Sequence, residues 1–322
     1  LKAFLADKIG RPALPAALEI REGLPRTAVG KLSKVALREE ERRRLRRDLH
    51  DGLGAQLAAL GFAEEQLLGI HILYPGLIDA ETGRLSFSAV IRGWQQCCPT
   101  ILSDLRAAFP GTYVMLSNNA AAVAYSAFLR DTEPPPLPLL VVTVQEGIDA
   151  GAVLPGGRSM PLEAGHISID RNGPVCNCGN RGCLETFCST TALFARLRAA
   201  GIPVSYQDIY GSDPNEAAIA ELAVAFTSGD EAVTACLQRY GMDLCCAIVS
   251  LVNLLDVRAV RLGGFPYLLG EPFAELLRSI LAEDFHILTS TGELELQLFD
   301  CKYEDVRKAA VLQTLEAIFS KH

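Results

Sequence analysis

The feature that most constrains this chain is a short central segment that combines one histidine with three closely spaced cysteines. His166 precedes Cys176, Cys178 and Cys183, and glycines between the thiols allow the chain to reverse tightly. Three thiolates with one imidazole form a common closed ligand set for structural zinc. The segment therefore predicts a tetrahedral Zn²⁺ site with these four residues as ligands.

A loop this short and rich in glycine has little hydrophobic core of its own. Metal bonds would therefore supply much of its folding free energy. The alternative is that the cysteines are ordinary buried thiols, or one disulfide with a spare thiol. The Cys-x-Cys pair, followed after four intervening residues by a third cysteine, favours the metal.

The same segment resembles the ROK family, which is named for repressors, open reading frames and sugar kinases. The shared pattern is Glu-x-Gly-His from Glu163, followed by Cys-x-Cys-Gly-x-x-Gly-Cys-Leu-Glu, which ends at Glu185. The resemblance runs from about residue 66 to the end of the sequence. It implies an α/β, two-lobed fold of the actin/hexokinase-like (ASKHA) type, with a structural zinc loop and a sugar in the cleft between the lobes.

The resemblance also implies which residues contact the sugar. Glu163 and Glu185 would form hydrogen bonds with sugar hydroxyls, and Asn118 and Asn119 would face the same sugar. His166 would ligate the zinc ion while facing the sugar. The zinc would then be structural, because it would hold sugar-contacting side chains in place.

The side chain at position 119 is the decisive difference from the kinases of this family. Those kinases place an aspartate there, which accepts the proton of the sugar hydroxyl that attacks ATP. Asn119 can bind a hydroxyl, but its amide cannot take up that proton. We therefore assign no catalytic residue.

Two phosphate-binding segments of the family kinases differ as well. The opening Asp-x-Gly-Gly-Thr hairpin, whose glycines let backbone amides approach phosphates, occurs nowhere in this sequence. We therefore expect an incomplete first lobe. The second turn, Gly-Thr-Gly-Ile-Gly-Ala-Gly in the family, is replaced over 145–151 by Gln-Glu-Gly-Ile-Asp-Ala-Gly, which carries two carboxylates. Like charges in a poorly solvated cleft cost several kcal/mol.

These differences favour a non-catalytic sugar-binding protein, related to the repressor branch, that senses a hexose or amino sugar. The alternative is an ATP-dependent sugar kinase with unusual phosphate contacts, which would need ATP and Mg²⁺ besides zinc. The family resemblance suggests a homodimer. The winged helix-turn-helix of the repressor branch is not recognisable here, so we predict sugar sensing and not DNA binding.

The first sixty residues do not resemble the start of that family. The string Pro-Arg-Thr-Ala-Val-Gly-Lys, which ends at Lys31, resembles the C-terminal lysine motif of acyl-adenylate-forming synthetases. The string around His50 resembles the phosphoacceptor helix of one histidine-kinase class. Neither motif is accompanied by the nucleotide-binding domain that it serves. An exposed lysine after a turn and a solvated basic helix face are the simpler interpretations.

The expected domains are an atypical segment 1–60, helical over 38–60, a first α/β lobe 61–130 and a second lobe 131–302. A C-terminal helix, at about 303–322, would return to the first lobe. His71, inside an apolar run, is expected to be a packed core residue and not a ligand. Hydrophobic periodicity predicts strands beginning at residue 66 and at 113–116, 139–144 and 257–262. It predicts helices at 100–109, from 117, within 188–256 (at 217–226 and 231–255) and at 303–319.

Composition narrows the class of protein only moderately. With 49% hydrophobic and 21% charged residues, the 322-residue chain is ordinary for a soluble two-lobed protein. The net charge of −8 argues against a broad nucleic-acid-binding surface. Ten cysteines without a secretory leader favour the cytoplasm. We found no run of eighteen apolar residues, so we expect no membrane span.

Overall fold

The computed structural model describes residues 51–79, 82–87, 101–131, 133–204 and 214–320. The chain divides into two compact units, Leu1–Glu64 and Glu65–His322. In the first unit residues 51–59 are helical. Lys31, His50 and the beginning of the helix predicted over 38–60 lie outside the described residues.

The second unit is a mixed α/β structure. Its strands are β1 (Gly69–Tyr74), β2 (Leu77–Ile78), β3 (Leu85–Phe87), β4 (Tyr113–Asn118), β5 (Leu139–Val144), β6 (Ile148–Val153), β7 (Ser159–Leu162), β8 (Ala259–Gly264) and β9 (Glu295–Leu298). Its α-helices are α1 (Ile101–Ala108), α2 (Asn119–Arg130), α3 (Glu185–Cys188), α4 (Thr190–Ala199), α5 (Pro214–Thr227), α6 (Glu231–Leu255), α7 (Phe265–Leu269), α8 (Glu271–Glu283) and α9 (Tyr303–Phe319).

A small parallel sheet pairs β1 with β4, so that Tyr74 lies opposite Asn118. The C-terminal helix α9 packs on β1 and on α2. His71 joins these elements, because its Nδ1 lies 2.9 Å from the carbonyl oxygen of Ala310 and its Nε2 lies 2.6 Å from Ser117 Oγ. His71 therefore connects strands β1 and β4 with helix α9.

The larger sheet has the strand order β7-β6-β5-β8-β9. Its central strand β5 is buried at every position, as expected for a strand covered on both faces. Leu140, Val142 and others of the same parity belong to the main core, which includes α6. Leu139 packs with Ala124 and Ala127 of α2 on the opposite face. Helix α2 is thus held against the larger sheet while its first residues follow the small one.

Helix α6 is the main core helix. Asp230 caps its start by accepting a hydrogen bond from the Val233 amide at 3.0 Å, and Tyr240 is fully buried beside the ring of Phe265, with centroids 5.6 Å apart. Helix α6 is long and apolar enough to cross a membrane, although the sequence contains no run of eighteen apolar residues. However, 61% of its apolar window is buried within the protein, as in an ordinary core helix.

The prediction of one turn over 145–151 is wrong in extent. The reversal occupies residues 145–147, where the Gln145 amide donates to the Gly147 carbonyl at 2.8 Å. From Ile148 onward the chain is strand β6, antiparallel to both β5 and β7. Asp149 consequently lies on a strand opposite Thr143 and not in a loop.

Candidate functional site

The cysteine segment folds back on itself through backbone hydrogen bonds. The Cys176 amide donates to Asn180 O at 2.8 Å, and the Gly179 amide donates to Cys176 O at 3.0 Å. Gly182 has a φ of 66°, and a Cβ atom there would lie 1.6 Å from Asp170 O. Only glycine fits at this position, which explains why a glycine directly precedes the last cysteine.

This fold brings the four predicted metal ligands together. One ligand atom each from His166, Cys176, Cys178 and Cys183 lies within 4.8 Å of all the others. Cys178 Sγ lies 3.6 Å from Cys183 Sγ, and Cys176 Sγ lies 3.7 Å from His166 Nδ1. A zinc tetrahedron with bonds of about 2.3 Å has edges of about 3.8 Å, so these residues fit a zinc ion. The eight described cysteines are all free thiols, so no disulfide forms among them.

The thiols would release protons on binding a cation. Burial, with hydrogen bonds from neighbouring thiols, raises the pKa of Cys183 to about 12. Burial also raises the pKa of Cys176. Because thiolate is the form that ligates metal, binding at this site would be linked to proton release and would weaken in acid.

The elements that flank the cluster place two carboxylates near His166. Glu163 precedes a single 3-10 turn, Ala164–His166. A Cβ on Gly165 would lie 2.6 Å from Ile148 O, so this turn packs directly on β6. Glu185 begins α3 and accepts a hydrogen bond from the Ile148 backbone. Burial raises the pKa of both glutamates, while the nearby charge of His166 opposes the increase.

The start of α2 supplies the two asparagines. Asn118 Oδ1 accepts from the Ala120 amide at 2.7 Å and caps the helix. Its Nδ2 donates to Gly76 O at 2.8 Å. Both ends of the Asn118 side chain thus fix the helix start, and each end keeps one further hydrogen-bonding position. Asn119 follows it as the first residue of α2.

Asp149 is a member of this cluster that the sequence did not assign to the site. It lies near Asn119, and its charge raises the pKa of Glu163 and of Glu185. Asp149 has solvent-exposed surface, whereas the other residues of β6 are buried. Desolvation by the surrounding protein raises the pKa of Asp149, and the neighbouring Asn119 amide and His166 oppose that change. The sequence signal that could have identified Asp149 was a single carboxylate between the apolar residues of β6.

A cavity of about 920 Å³ lies beside this cluster, between β1 and α9. Asn119, Gln145, His71 and Cys301 are among its lining residues. The cavity thus reaches the start of α2, but the glutamates and the histidine of the cysteine segment are not part of its lining.

The sequence is similar to those of known repressors and sugar kinases. A family model described as the ROK family matches residues 25–287. The chain is 30% identical over 204 residues to a xylose repressor of Bacillus subtilis, across 61% of this chain and 48% of the repressor. It is 29% identical over 197 residues to a glucokinase of Thermotoga maritima, across 59% of this chain and 61% of the glucokinase. The matched part therefore spans about half to three fifths of these relatives.

A solved structure shows the same fold. The crystal structure of a ROK hexokinase from Thermus thermophilus superposes with a TM-score of 0.64 at 25% identity, over 86% of this chain and 88% of the hexokinase. This likeness confirms the predicted α/β fold of the actin/hexokinase-like, ASKHA type.

Proposed function

The chain belongs to the ROK family, and we propose that it binds a sugar beside Asn119, Glu163 and Glu185 without transferring phosphate to it. Both a repressor and a glucokinase are similar to this chain. Family membership is therefore compatible with either activity, and the proposal rests on the side chains around Asn119.

The amide at position 119 carries this proposal. Asn119 is the first residue of α2 and is among the residues lining the cavity. A base for phosphoryl transfer must take a proton from the attacking hydroxyl, which an amide cannot do near neutral pH. The same amide forms hydrogen bonds with hydroxyls well. Recognition without turnover is the outcome that this side chain supports.

The charges around Asn119 support the same conclusion. Asp149, Glu163 and Glu185 interact electrostatically with one another. Phosphoryl transfer depends on cations and amides that offset the charge of the phosphates. Three carboxylates act in the opposite direction, whereas they are good acceptors for sugar hydroxyls.

A zinc ion fits the proposal as a structural component. His166, Cys176, Cys178 and Cys183 would hold it, and it would supply cross-linking of the loop without taking part in chemistry. His166 Nδ1 is the ring nitrogen that faces the thiols. Its Nε2 would then carry the proton and could donate to a sugar hydroxyl.

The proposal includes sugars of the hexose or amino-sugar class, Asn118 as a further sugar contact, and a cytoplasmic homodimer. Support for the dimer and the location is the family resemblance alone. A DNA-binding role is not included.

The second candidate is an ATP-dependent sugar kinase. The specific observation in its favour is the likeness to the glucokinase of Thermotoga maritima and to the ROK hexokinase. In that case ATP and Mg²⁺ would bind in spite of the carboxylates.

Calorimetric titration with D-xylose, D-glucose and N-acetyl-D-mannosamine tests the proposal. We expect at least one sugar to bind, and Glu163→Gln to weaken that binding by roughly tenfold, because it removes a charged acceptor. Glu275→Gln, on the exposed surface of α8, is the control. The same preparations are assayed for ADP release with ATP and Mg²⁺. Sugar-dependent ADP release that Glu163→Gln abolishes would establish the kinase, and absence of binding at millimolar sugar would refute both candidates.

A further inference from the structure

Strand β1 is paired along one edge only in the part of the chain that the structure describes. It belongs to a sheet of two strands, in which β4 is its neighbour. The amide of Tyr113 on β4 donates to Leu68 O over 3.1 Å. Backbone groups of successive residues point to opposite edges of a strand, so those of Gly69, His71 and Leu73 point away from β4. Their amides and carbonyls therefore face the second edge of β1.

Helix α9 packs directly on β1 and runs opposite to it. His71 Nδ1 lies 2.9 Å from Ala310 O, and a Cβ atom on Gly69 would lie 2.6 Å from Thr314 Cγ2. Later residues of the helix thus meet earlier residues of the strand. The start of α9 therefore lies toward the C-terminal end of β1.

A second stripe of α9 extends beyond these contacts. Val311 and Leu315 each follow a residue that packs on β1, and both line the cavity of about 920 Å³. Val311 is 57% exposed although it is apolar. The residues of β1 that line the cavity are the same three whose backbone groups face the second edge. The cavity is thus a groove between that edge and apolar side chains of α9, and we call it the edge groove.

The backbone groups of the second edge determine what fits the edge groove. Amides and carbonyls that alternate at strand spacing are matched by the backbone of another extended chain. Side chains of an added strand point alternately to its two faces, so every second one would meet the apolar stripe of α9. Because β1 has six residues, the matching segment is about six residues long.

Arg307 gives the edge groove a preference for one charge. Among the lining residues, which all belong to the described chain, it is the only arginine, lysine, aspartate or glutamate. Its Cζ lies 5.1 Å from the centroid of the Tyr303 ring, and a guanidinium stacked on a ring still presents N–H donors at its edge. Arg307 lies one turn before Val311 and thus toward the C-terminal end of β1. A carboxylate at the adjacent end of a bound segment would pair with it.

We propose that the edge groove binds an extended segment of a partner protein, which adds to β1 as a third strand. The segment has apolar residues at every second position and an acidic residue on the same face, at the end next to Arg307. Backbone hydrogen bonds with β1 provide affinity, and contacts with α9 provide selectivity. The proposal is independent of sugar binding, because Glu163 and Glu185 do not line the groove.

Two synthetic peptides test strand addition on the full chain. Acetyl-Glu-Thr-Val-Thr-Val-Thr-amide suits antiparallel addition, and acetyl-Thr-Val-Thr-Val-Thr-Glu-amide suits parallel addition. Hydrogen exchange measured by NMR reports on the amides of Gly69, His71 and Leu73. We expect these amides to exchange roughly tenfold more slowly when one of the peptides is present at millimolar concentration. Replacing Glu by Lys in that peptide should weaken its binding by roughly threefold.

N-methylated peptides distinguish an added strand from a looser contact. Methylation of the alternate amides that face β1 removes their hydrogen bonds, whereas methylation of the other amides leaves those bonds intact. One of the two alternating patterns should therefore abolish binding, and the other should retain it. Equal effects of the two patterns would overturn strand addition.

Variants of exposed residues on α9 locate the groove without disturbing the core. Val311→Asp should weaken peptide binding by roughly tenfold or more, because it places a carboxylate in the apolar stripe. Leu312→Asp, at an exposed residue outside the groove, should bind like wild type. Arg307→Gln should lose the preference for Glu over Lys, and Lys308→Gln, which removes an equal charge outside the groove, should retain it.

The state of the edge in the protein alone is the remaining control. Edge amides that are already protected without peptide would show that another segment pairs with β1, and this would overturn the proposal. Protection that increases with protein concentration would identify a second copy as the occupant and refute a separate partner. Absence of protection with both peptides at millimolar concentration would exclude an added strand.

Discussion

Arg261 on β8 donates from Nη2 to Oδ2 of Asp131, the residue that follows α2, over 2.7 Å. Its Nη1 lies 2.7 Å from Oε1 of Glu295 on β9. The arginine side chain is only 5% exposed, whereas Asp131 and Glu295 are 28% and 36% exposed. One buried cation thus ties the end of α2 to two strands of the larger sheet.

We predict that the double variant Asp131→Ala, Glu295→Ala is less stable than Arg261→Met. The double variant leaves a buried cation without a charged partner, which costs about 3 kcal/mol or more. Arg261→Met removes the cation, and the two carboxylates that remain can be hydrated. Urea unfolding measures the difference.

The control for this comparison is Glu304→Ala, which breaks an exposed pair with Lys308 on α9. It should not change the unfolding midpoint measurably. Equal midpoints for the double variant and Arg261→Met would show that Arg261 is not effectively buried.

The metal site predicts a stoichiometry. Purified protein should contain about one zinc per chain by mass spectrometry of metals, because four ligand atoms form one compact set. Cys183→Ser should reduce the content by at least tenfold and lower the melting temperature. Cys246→Ser, at a cysteine outside the set, should retain the metal. Full zinc content in Cys183→Ser would exclude that thiol as a ligand.

His71 predicts a pH dependence of stability. Burial lowers the pKa of His71 from its usual 6.5, and the hydrogen bond with Ala310 opposes this only in part. Above pH 6.5 His71 is neutral in both the folded and the unfolded protein, and its contribution to the free energy of unfolding is complete. As the pH falls from 6.5 toward the lower pKa of the folded state, the unfolded chain binds the proton first. The free energy of unfolding should therefore decrease.

Urea denaturation between pH 7 and pH 5 checks this prediction. His71→Gln cannot titrate, so its unfolding free energy should decline less steeply than that of wild type over the same interval. His286→Gln, at an exposed histidine, should retain the wild-type slope. Parallel curves for wild type and His71→Gln would contradict the prediction.

The close packing at Gly151 leads us to expect that an added side chain destabilises the protein. A Cβ atom there meets the backbone oxygen of Ala120 at 2.4 Å, and backbone cannot move aside cheaply. Gly151→Ala should therefore lower the free energy of unfolding by about 2 kcal/mol and weaken sugar binding. At Gly241 the added atom would meet only the side-chain ends of Ile280 and Leu277. Gly241→Ala should be much milder, and equal effects in calorimetric melting would refute the argument.

Much of the fold was predictable because its long elements have clear periodicity. The strand 139–144 and the helices 231–255 and 303–319 were predicted with the boundaries that the structure has. The short strands β7 and β9 and the helix α8 were not predicted. Their pairing depends on neighbours that are distant in sequence, so local pattern carries little information about them.

The candidate site was predictable to the extent that it is local in sequence. Cys176, Cys178 and Cys183 lie within eight residues, and the structure brings them together with His166. The position of Asp149 near Asn119 was missed, because it depends on the approach of α2 to β6. From sequence, Asp149 was only a charge that opposes phosphate.

The bond between His71 and Ala310 spans 239 positions of the chain. At translation rates of about 5–20 residues per second, on the order of 10 to 50 seconds separate the synthesis of its two partners. During that interval strand β1 has left the ribosome without the helix that will cover it. The nascent polypeptide thus carries an apolar strand that chaperones can bind until helix α9 emerges.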